Sequence, residues 1–342
     1  EYQDLLRLSV ATPGNDHRLG GHEAPPAIVS MFIGEELEAV LDAIASGEHY
    51  VGKRAGRMDL GISSIPTFRK DTTDRNRTSP FAFTGNKFEF RMPGSSANIA
   101  LPNIVLNTAV AEVFRRFADR LEAVPKKDLN NAVNDLIRET ILAHRRIIFS
   151  GNGYSAEWEA EAARRGLSNI RKAVDAFPAF TTPESIKLFT DHAVMSEAEL
   201  VSRVEIMYEN YSKVTNIEAL TMIEMASRDI IPAVSAYIAK VAGTAKIKHE
   251  VCPSVSCMVE EDIITKLSGL NEQAYLALRR LKEVETKAAV VASEGASALA
   301  KHYLHEVVPC MEELREYVDA MEQMTDSADW PMPTYGDLMF RI

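Results

Sequence analysis

The stretch Asn86-Lys87-Phe88-Glu89-Phe90-Arg91-Met92-Pro93-Gly94 decides how the first third of this chain is read. Lys87, Glu89 and Arg91 alternate with Phe88, Phe90 and Met92, and a Pro-Gly pair ends the run. Side chains of a strand alternate between two faces. The spacing therefore predicts a strand with three large apolar groups on one side and three ionisable groups on the other. A solvated face with a cross-strand ion pair explains such a pattern, and such pairs contribute little. The wall of an active site explains it too, because interacting titratable groups gather at functional sites. The stretch alone leaves both readings open.

Composition narrows the class. At 342 residues the chain is long enough for two domains, or for one large domain with an appendage. It is 46% hydrophobic and 25% charged, the profile of an ordinary globular protein. Lys and Arg number 38 against 49 Asp and Glu, a formal charge of −11. That balance argues against a nucleic-acid partner, and there is no basic stripe with interleaved aromatics. Consecutive apolar runs such as Ala27 to Ile33 fall short of the ~20 residues that span a bilayer, so no membrane partner is expected. Cys252, Cys257 and Cys310 are odd in number and lack the paired spacing of a zinc site. Free thiols in a reducing cytoplasm are the expectation. The chain opens at Glu1 on Tyr2-Gln3-Asp4-Leu5-Leu6-Arg7-Leu8-Ser9-Val10, which already reads as structured polypeptide; Asp4 to Val10 is compatible with a strand. A chain entered partway through is the expectation.

Residues 1–100 read as loops and strands, densely punctuated by Gly and Pro. One helix is embedded there, from Gly34 to Ser46, with Leu37, Val40, Leu41 and Ile44 at helical spacing and Gly47 as its stop. From Asn98 the character becomes helical. Pro102 opens a helix whose stripe includes Val105, Val113, Phe117 and Leu121, and Leu129 to Phe149 continues the pattern. Ser155 and Thr182 read as helix caps, and Ser196 opens the longest segment, interrupted by a kink at Pro232. Between residues 263 and 291, Ile263, Leu267, Leu270, Ala274, Ala277, Leu281, Val284, Ala288 and Val291 recur in steps of four and three. This is a heptad seam, and with Gly295 as a break it predicts an antiparallel helical hairpin over 260–325. Trp330 to Tyr335 reads as an extended, aromatic docking tail.

Two further stretches carry chemistry. Gly14-Asn15-Asp16-His17-Arg18-Leu19-Gly20-Gly21-His22-Glu23-Ala24-Pro25-Pro26 is a glycine-flanked segment that can present Arg18 and Glu23 as a lid does. Arg18 suits a carboxylate through paired hydrogen bonds, while His17, His22 and Glu23 do not match a standard zinc spacing. Asp74-Arg75-Asn76-Arg77-Thr78-Ser79-Pro80-Phe81 leads into the opening strand, so that Arg77 and Arg91 can converge on a phosphate with Glu89 between them as a ligand for a hard cation. Phosphoryl transfer needs such neutralisation of developing oxygen charge. There is no phosphate-binding glycine loop, dinucleotide fingerprint or nucleophile elbow. His302 and His305 read as an exposed helix face.

Taken in order, these stretches resemble glutamine synthetases. G-N-D-H-R-L-G-G-H-E-A-P is similar to that family's flap, N-R-T-S-P-F to its arginine segment, and F-E-F-R-M-P-G-S-S-A-N to its metal-binding strand. The wording around N-R-T-S-P-F and the W-P-M-P-T-Y-G-D-L-M-F ending resemble the long type III enzymes, over essentially the whole chain. The resemblance implies an α+β fold: the C-terminal part of the catalytic domain, antiparallel strands plus helices, over 1–125, a mostly helical region with its hairpin over 126–325, and the tail over 326–342. It implies a ligase making glutamine from glutamate, ammonia and ATP through a γ-glutamyl phosphate. Arg18 would bind glutamate, and Glu23 would close over the intermediate and take the ammonium proton. Arg77 and Arg91 would neutralise the phosphoryl group, Arg77 and Lys87 would lie near the nucleotide, and Glu89 would bind Mg²⁺ or Mn²⁺. A cytoplasmic homo-oligomer of stacked hexameric rings, a dodecamer, is also implied.

The chain departs from the family pattern in four ways. The flap is one residue shorter between Arg18 and Glu23, and Ala82 stands where the commoner pattern has a second arginine. About forty extra residues, roughly Val29 to Thr72, separate flap and arginine segment. The family's other metal ligands fall before Glu1, so the chain by itself is expected to be inactive. A catalytically silent helical module is the alternative reading.

Overall fold

In a computed structural model the described residues are 1–21, 24–52, 57–58, 68–69 and 79–340. His22, Glu23 and Arg77 lie outside them. The chain forms two compact units, Glu1–Val204 and Glu205–Ile342.

The first unit opens with helices α1 (Gln3–Leu8) and α2 (Pro13–Arg18). The strand expected over Asp4 to Val10 is therefore corrected. Leu5 and Leu8, three positions apart, are both buried on one helical face, and Ser9 N donates to Leu5 O at 3.0 Å. Thr12 caps α2 by accepting from Asn15 N at 3.3 Å, and Pro13 takes the first helical position, where a missing N–H costs nothing. His17 and Arg18 thus sit in the last turn of a helix, where positive charge meets the negative end of the dipole, and not on a glycine-flanked loop. Buried Arg7 ties this corner together: Nε donates to Ile170 O at 2.6 Å, Nη2 donates to Arg171 O at 3.0 Å, and Asp16 lies 3.5 Å away. Asp16 in turn accepts from Ala173 N at 2.8 Å.

A small sheet follows. Strand β1 (Met31–Phe32) precedes helix α3 (Glu35–Ser46), a two-stranded antiparallel pair β2 (Arg57–Met58) and β3 (Phe68–Arg69), then β4 (Phe81–Phe83) and β5 (Phe88–Phe90). The sheet order is β1-β4-β5. β4 and β5 pair antiparallel, as expected; β1 pairs parallel with β4, Met31 opposite Phe81, so the sheet is mixed. A parallel neighbour requires a long crossover, and the segment holding α3 provides it. Gly47 ends α3 with φ +76°, the left-handed conformation that glycine adopts without penalty.

Helices α4 (Ala100–Glu122), α5 (Leu129–His144), α6 (Ala156–Arg164), α7 (Ala173–Ala176) and α8 (Pro183–Asp191) complete the unit. Ser155 and Thr182 cap α6 and α8, accepting from Trp158 N and Ser185 N. Ile28, Trp158, Ala162 and Leu167 form a core cluster against Ile147 and Phe149. The Phe149 ring stacks on Trp158 with centroids 3.7 Å apart.

The unit boundary falls inside α9 (Glu197–Met225); α10 (Ile231–Val251), α11 (Met258–Val291), α12 (Ala296–His302), α13 (Val308–Glu322) and α14 (Tyr335–Met339) follow. The interruption at Pro232 takes the form of a π turn, Ala226–Ile230, and a second π turn, Tyr303–Val307, precedes Pro309 in the same way. A proline ring clashes with the carbonyl four residues earlier and offers no N–H; widening the preceding turn accommodates both defects. Both α10 and α13 pack along α11. All nine seam positions from Ile263 to Val291 are buried or half-buried. Gly295, at φ +111°, turns the chain back. The tail is extended only to Pro333, because Thr334 and Asp337 form a capping box that starts α14. By length and composition alone the helix from Glu197 to Val251 is apolar enough to cross a membrane. Counting consecutive apolar residues misses this, since Arg228, Asp229 and Lys240 divide the runs.

Candidate functional site

β5 carries Glu89 of the charged cluster, and Lys87 and Arg91 flank it on either side. Its register sets Glu89 opposite Ala82, Phe88 opposite Phe83 and Phe90 opposite Phe81. Because side chains alternate, the four phenylalanines share the other face, with Phe81–Phe88 centroids at 5.5 Å and Phe83–Phe88 at 5.1 Å. That face is only partly covered: Phe88 is 46% exposed, while Met92, just beyond the strand, is buried. The strand is anchored by ring packing and by Met92.

On the charged face, Glu89 Oε1 lies 3.5 Å from Lys87 Nζ and Oε2 lies 3.2 Å from Arg91 Nη2. Side-chain exposure falls from 66% at Lys87 to 38% at Glu89 and 14% at Arg91. The Arg91 hydrogen bond chiefly, with Lys87 adding, holds the Glu89 carboxyl below its usual range against the opposing effect of desolvation. Glu89 is therefore ionised at neutral pH, between two cations. As a stabilising contact this half-exposed cluster is worth little; as a preset arrangement of charge it can meet an anion.

The end of the strand is held from α2. Arg18 Nη1 donates to Met92 O at 2.8 Å and to Asn15 Oδ1 at 3.3 Å, and Nη2 donates to Arg91 O at 3.1 Å. The structure thus brings Arg18 to the far end of the segment that carries Lys87, Glu89 and Arg91, with its guanidinium on the main-chain carbonyls of Arg91 and Met92. Asn15 is the residue sequence reasoning missed. A neutral carboxamide signals no chemistry by type; the available sign was its position three residues after a cap and three before Arg18.

The fit to a metal is poor among the described residues, which hold no group of three or more His, Cys, Asp or Glu arranged for an ion. Glu89 is a single carboxylate, and a hard divalent cation takes six or more oxygens. His302 is half-buried, with Nε2 2.8 Å from Val284 O, so the exposed face expected of the 302/305 pair applies only to His305. An open apolar cavity of roughly 420 Å³ lies beside the sheet, lined by Leu6, Met31, Phe81, Leu106, Val110 and Phe114 among others.

Comparison with known proteins decides the family. Over its whole length the chain is 41% identical to "Glutamine synthetase" of Butyrivibrio fibrisolvens, covering 48% of that protein. It is 37% identical to "Type-3 glutamine synthetase" of Dictyostelium discoideum, with 99% of the chain and 46% of the relative aligned. Residues 132–249 match the family described as glutamine synthetase C-terminal domain. The chain belongs to the glutamine synthetase family. A third glutamine synthetase relative, from Bacteroides fragilis (strain YCH46), is 36% identical over 99% of the chain and 47% of its own length. The chain spans about half the length of the curated relatives it matches. The family resemblance carried by three ordered motifs is thereby confirmed, and the match to this glutamine synthetase domain covers the α5–α10 region, which those motifs do not include.

Proposed function

We propose that the chain supplies part of the catalytic machinery of an ATP-dependent ligase that joins ammonia to glutamate. The glutamate γ-carboxylate attacks the γ-phosphorus of ATP, releasing ADP and forming γ-glutamyl phosphate. Ammonia then attacks the acyl carbon, phosphate leaves with the bonding pair, and the surplus ammonium proton passes to Glu23. Arg91 and Arg77 neutralise the phosphoryl oxygens as charge develops. Arg18 holds glutamate, and Lys87 lies toward the nucleotide. Mg²⁺ or Mn²⁺ belongs to the same proposal, with Glu89 as one ligand. One carboxylate does not make that site, so no step is assigned to the ion. A cytoplasmic dodecamer of stacked hexameric rings completes the reading.

The observation that carries it is the Lys87–Glu89–Arg91 row, with the more buried Arg91 fixed against an ionised carboxylate. The test joins this chain to the part of the Butyrivibrio fibrisolvens relative that it does not cover. ATP-dependent glutamine formation is expected from the joined protein, its abolition by Glu89→Gln, and no activity from the 342-residue chain alone. An inactive joined protein that is folded and assembled would favour the second reading, a catalytically silent helical module, which the helical region 100–325 and the lack of a metal-holding cluster among the described residues motivate.

A further inference from the structure

We propose that Asn15 is a positioning residue for the charged strand: its carboxamide fixes where the end of β5, and hence Arg91 and Glu89, sits relative to Arg18. The inference rests on the function proposed above for Glu89 and Arg91.

Two main-chain carbonyls and one guanidinium meet at this one side chain. Asn15 is 4% exposed. Its Nδ2 donates both to Val10 O at 2.8 Å and to Met92 O at 3.1 Å, and its Oδ1 accepts from Arg18 Nη1 at 3.3 Å. Both donors and the acceptor are thereby used, the arrangement that a buried amide needs if it is not to cost stability. Val10 leads out of α1, Met92 lies just beyond β5, and Arg18 closes α2. Gly94 lies beside the amide: a Cβ there would stand 3.6 Å from Asn15 Oδ1, an ordinary contact. Arg18 and Asn15 share the Met92 carbonyl, and Arg18 also takes the Arg91 carbonyl. The main chain of the residue proposed to neutralise the phosphoryl group is thus held by a guanidinium that Asn15 itself holds.

Asp is the informative replacement. Asn15→Asp keeps the shape and the acceptor for Arg18, yet turns both donors into an oxygen facing Val10 O and Met92 O. The strand end is repelled while the Arg18 contact is strengthened. Asn15→Ser removes the contacts without repulsion and serves as the second variant. Two measurements test the role. In the 342-residue chain, amide hydrogen exchange over residues 88–94 is expected to quicken by about tenfold or more in both variants, with exchange in α11 unchanged. In the joined synthetase, kcat per folded site is expected to fall by about tenfold or more, while KM for ATP moves by less than about threefold. Ser155→Ala, which removes the cap of another helix, provides a destabilised control with normal kcat per folded site.

Unchanged exchange at 88–94 overturns the proposal whatever the activity. Faster exchange with a normal kcat per folded site also overturns it, because Asn15 would then serve folding alone. If the unsubstituted joined protein makes no glutamine, the proposed function fails, and the exchange measurement by itself decides whether Asn15 holds the strand.

Discussion

Glu112 Oε2 lies 2.9 Å from His192 Nε2, and this contact joins the middle of α4 to the end of α8. The same carboxylate receives Arg115, with Nη2 to Oε1 at 2.9 Å. Arg115 first and His192 second bring the Glu112 carboxyl down from 4.5 to about 2. A carboxyl that titrates lower when folded stabilises the native state above its unfolded pKa and loses that contribution as pH falls through the folded value. Glu112→Gln is therefore expected to lower Tm at pH 7. The gap to the parent should close between about pH 4.5 and pH 2. Thermal melts at several pH values check this; a gap that stays constant with pH would disprove it.

Arg91 is the main cause of the low Glu89 titration. Arg91→Met should let the Glu89 carboxyl rise toward its ordinary range, with Lys87→Met having a smaller effect in the same direction. Carbon-detected NMR of the glutamate carboxyl reads both. A larger movement on removing Lys87 would contradict the order of causes.

Arg7 and Asp16 form a pair buried beneath α1 and α2. Burial pushes the Asp16 carboxyl up and the Arg7 guanidinium down, so each needs the other. Arg7→Met strands a buried carboxylate, and a loss of about 3–5 kcal/mol is expected in urea unfolding. Arg7→Met combined with Asp16→Asn should recover part of the loss, but not all, because Asp16 also accepts from Ala173 N. No recovery in the double variant would show that the pair is not coupled.

Gly151 is the position where a Cβ would meet Phe149 Cζ at 2.6 Å. That ring cannot swing away freely, being stacked on buried Trp158. Gly151→Ala should cost about 1–3 kcal/mol, the usual range for overpacking, and alter the near-UV circular dichroism of the Phe149–Trp158 pair. A neutral melt with an unchanged spectrum would mean that the turn, not the ring, yields.

Legibility followed the length of each pattern. The inward stripe of α11 could be read from nine residues that repeat one spacing, all of them buried or half-buried, although buried Leu278 falls outside that spacing. Ser155 and Thr182 were legible as caps because hydroxyl residues there bond the chain locally. α1 was not: six residues hold too few repeats to separate helix from strand, and it is packing of Leu5 and Leu8 that decides. α2 was hidden by Pro13-Gly14, a turn signal in most settings, which here follows a capping threonine. The charged row of β5 was visible from alternation alone. Its support was not, since Asn15 and Met92 are 77 positions apart and nothing local links them.

The pairing of β1 with β4 has a kinetic consequence. β4 and β5 are joined by the short turn Thr84–Lys87, with Thr84 N on Lys87 O at 2.9 Å. A hairpin of that kind closes within about 1–10 μs. Met31 must instead find Phe81 across about fifty positions, and closing a loop of that size carries a larger entropic penalty. The row Lys87–Glu89–Arg91 is thus assembled on an early, local ribbon, and β1 arrives late to cover its far edge. Until it does, the β4 edge is an open template for another strand. Slow docking of that crossover is the step at which a nascent copy is most exposed to misassociation with its neighbours.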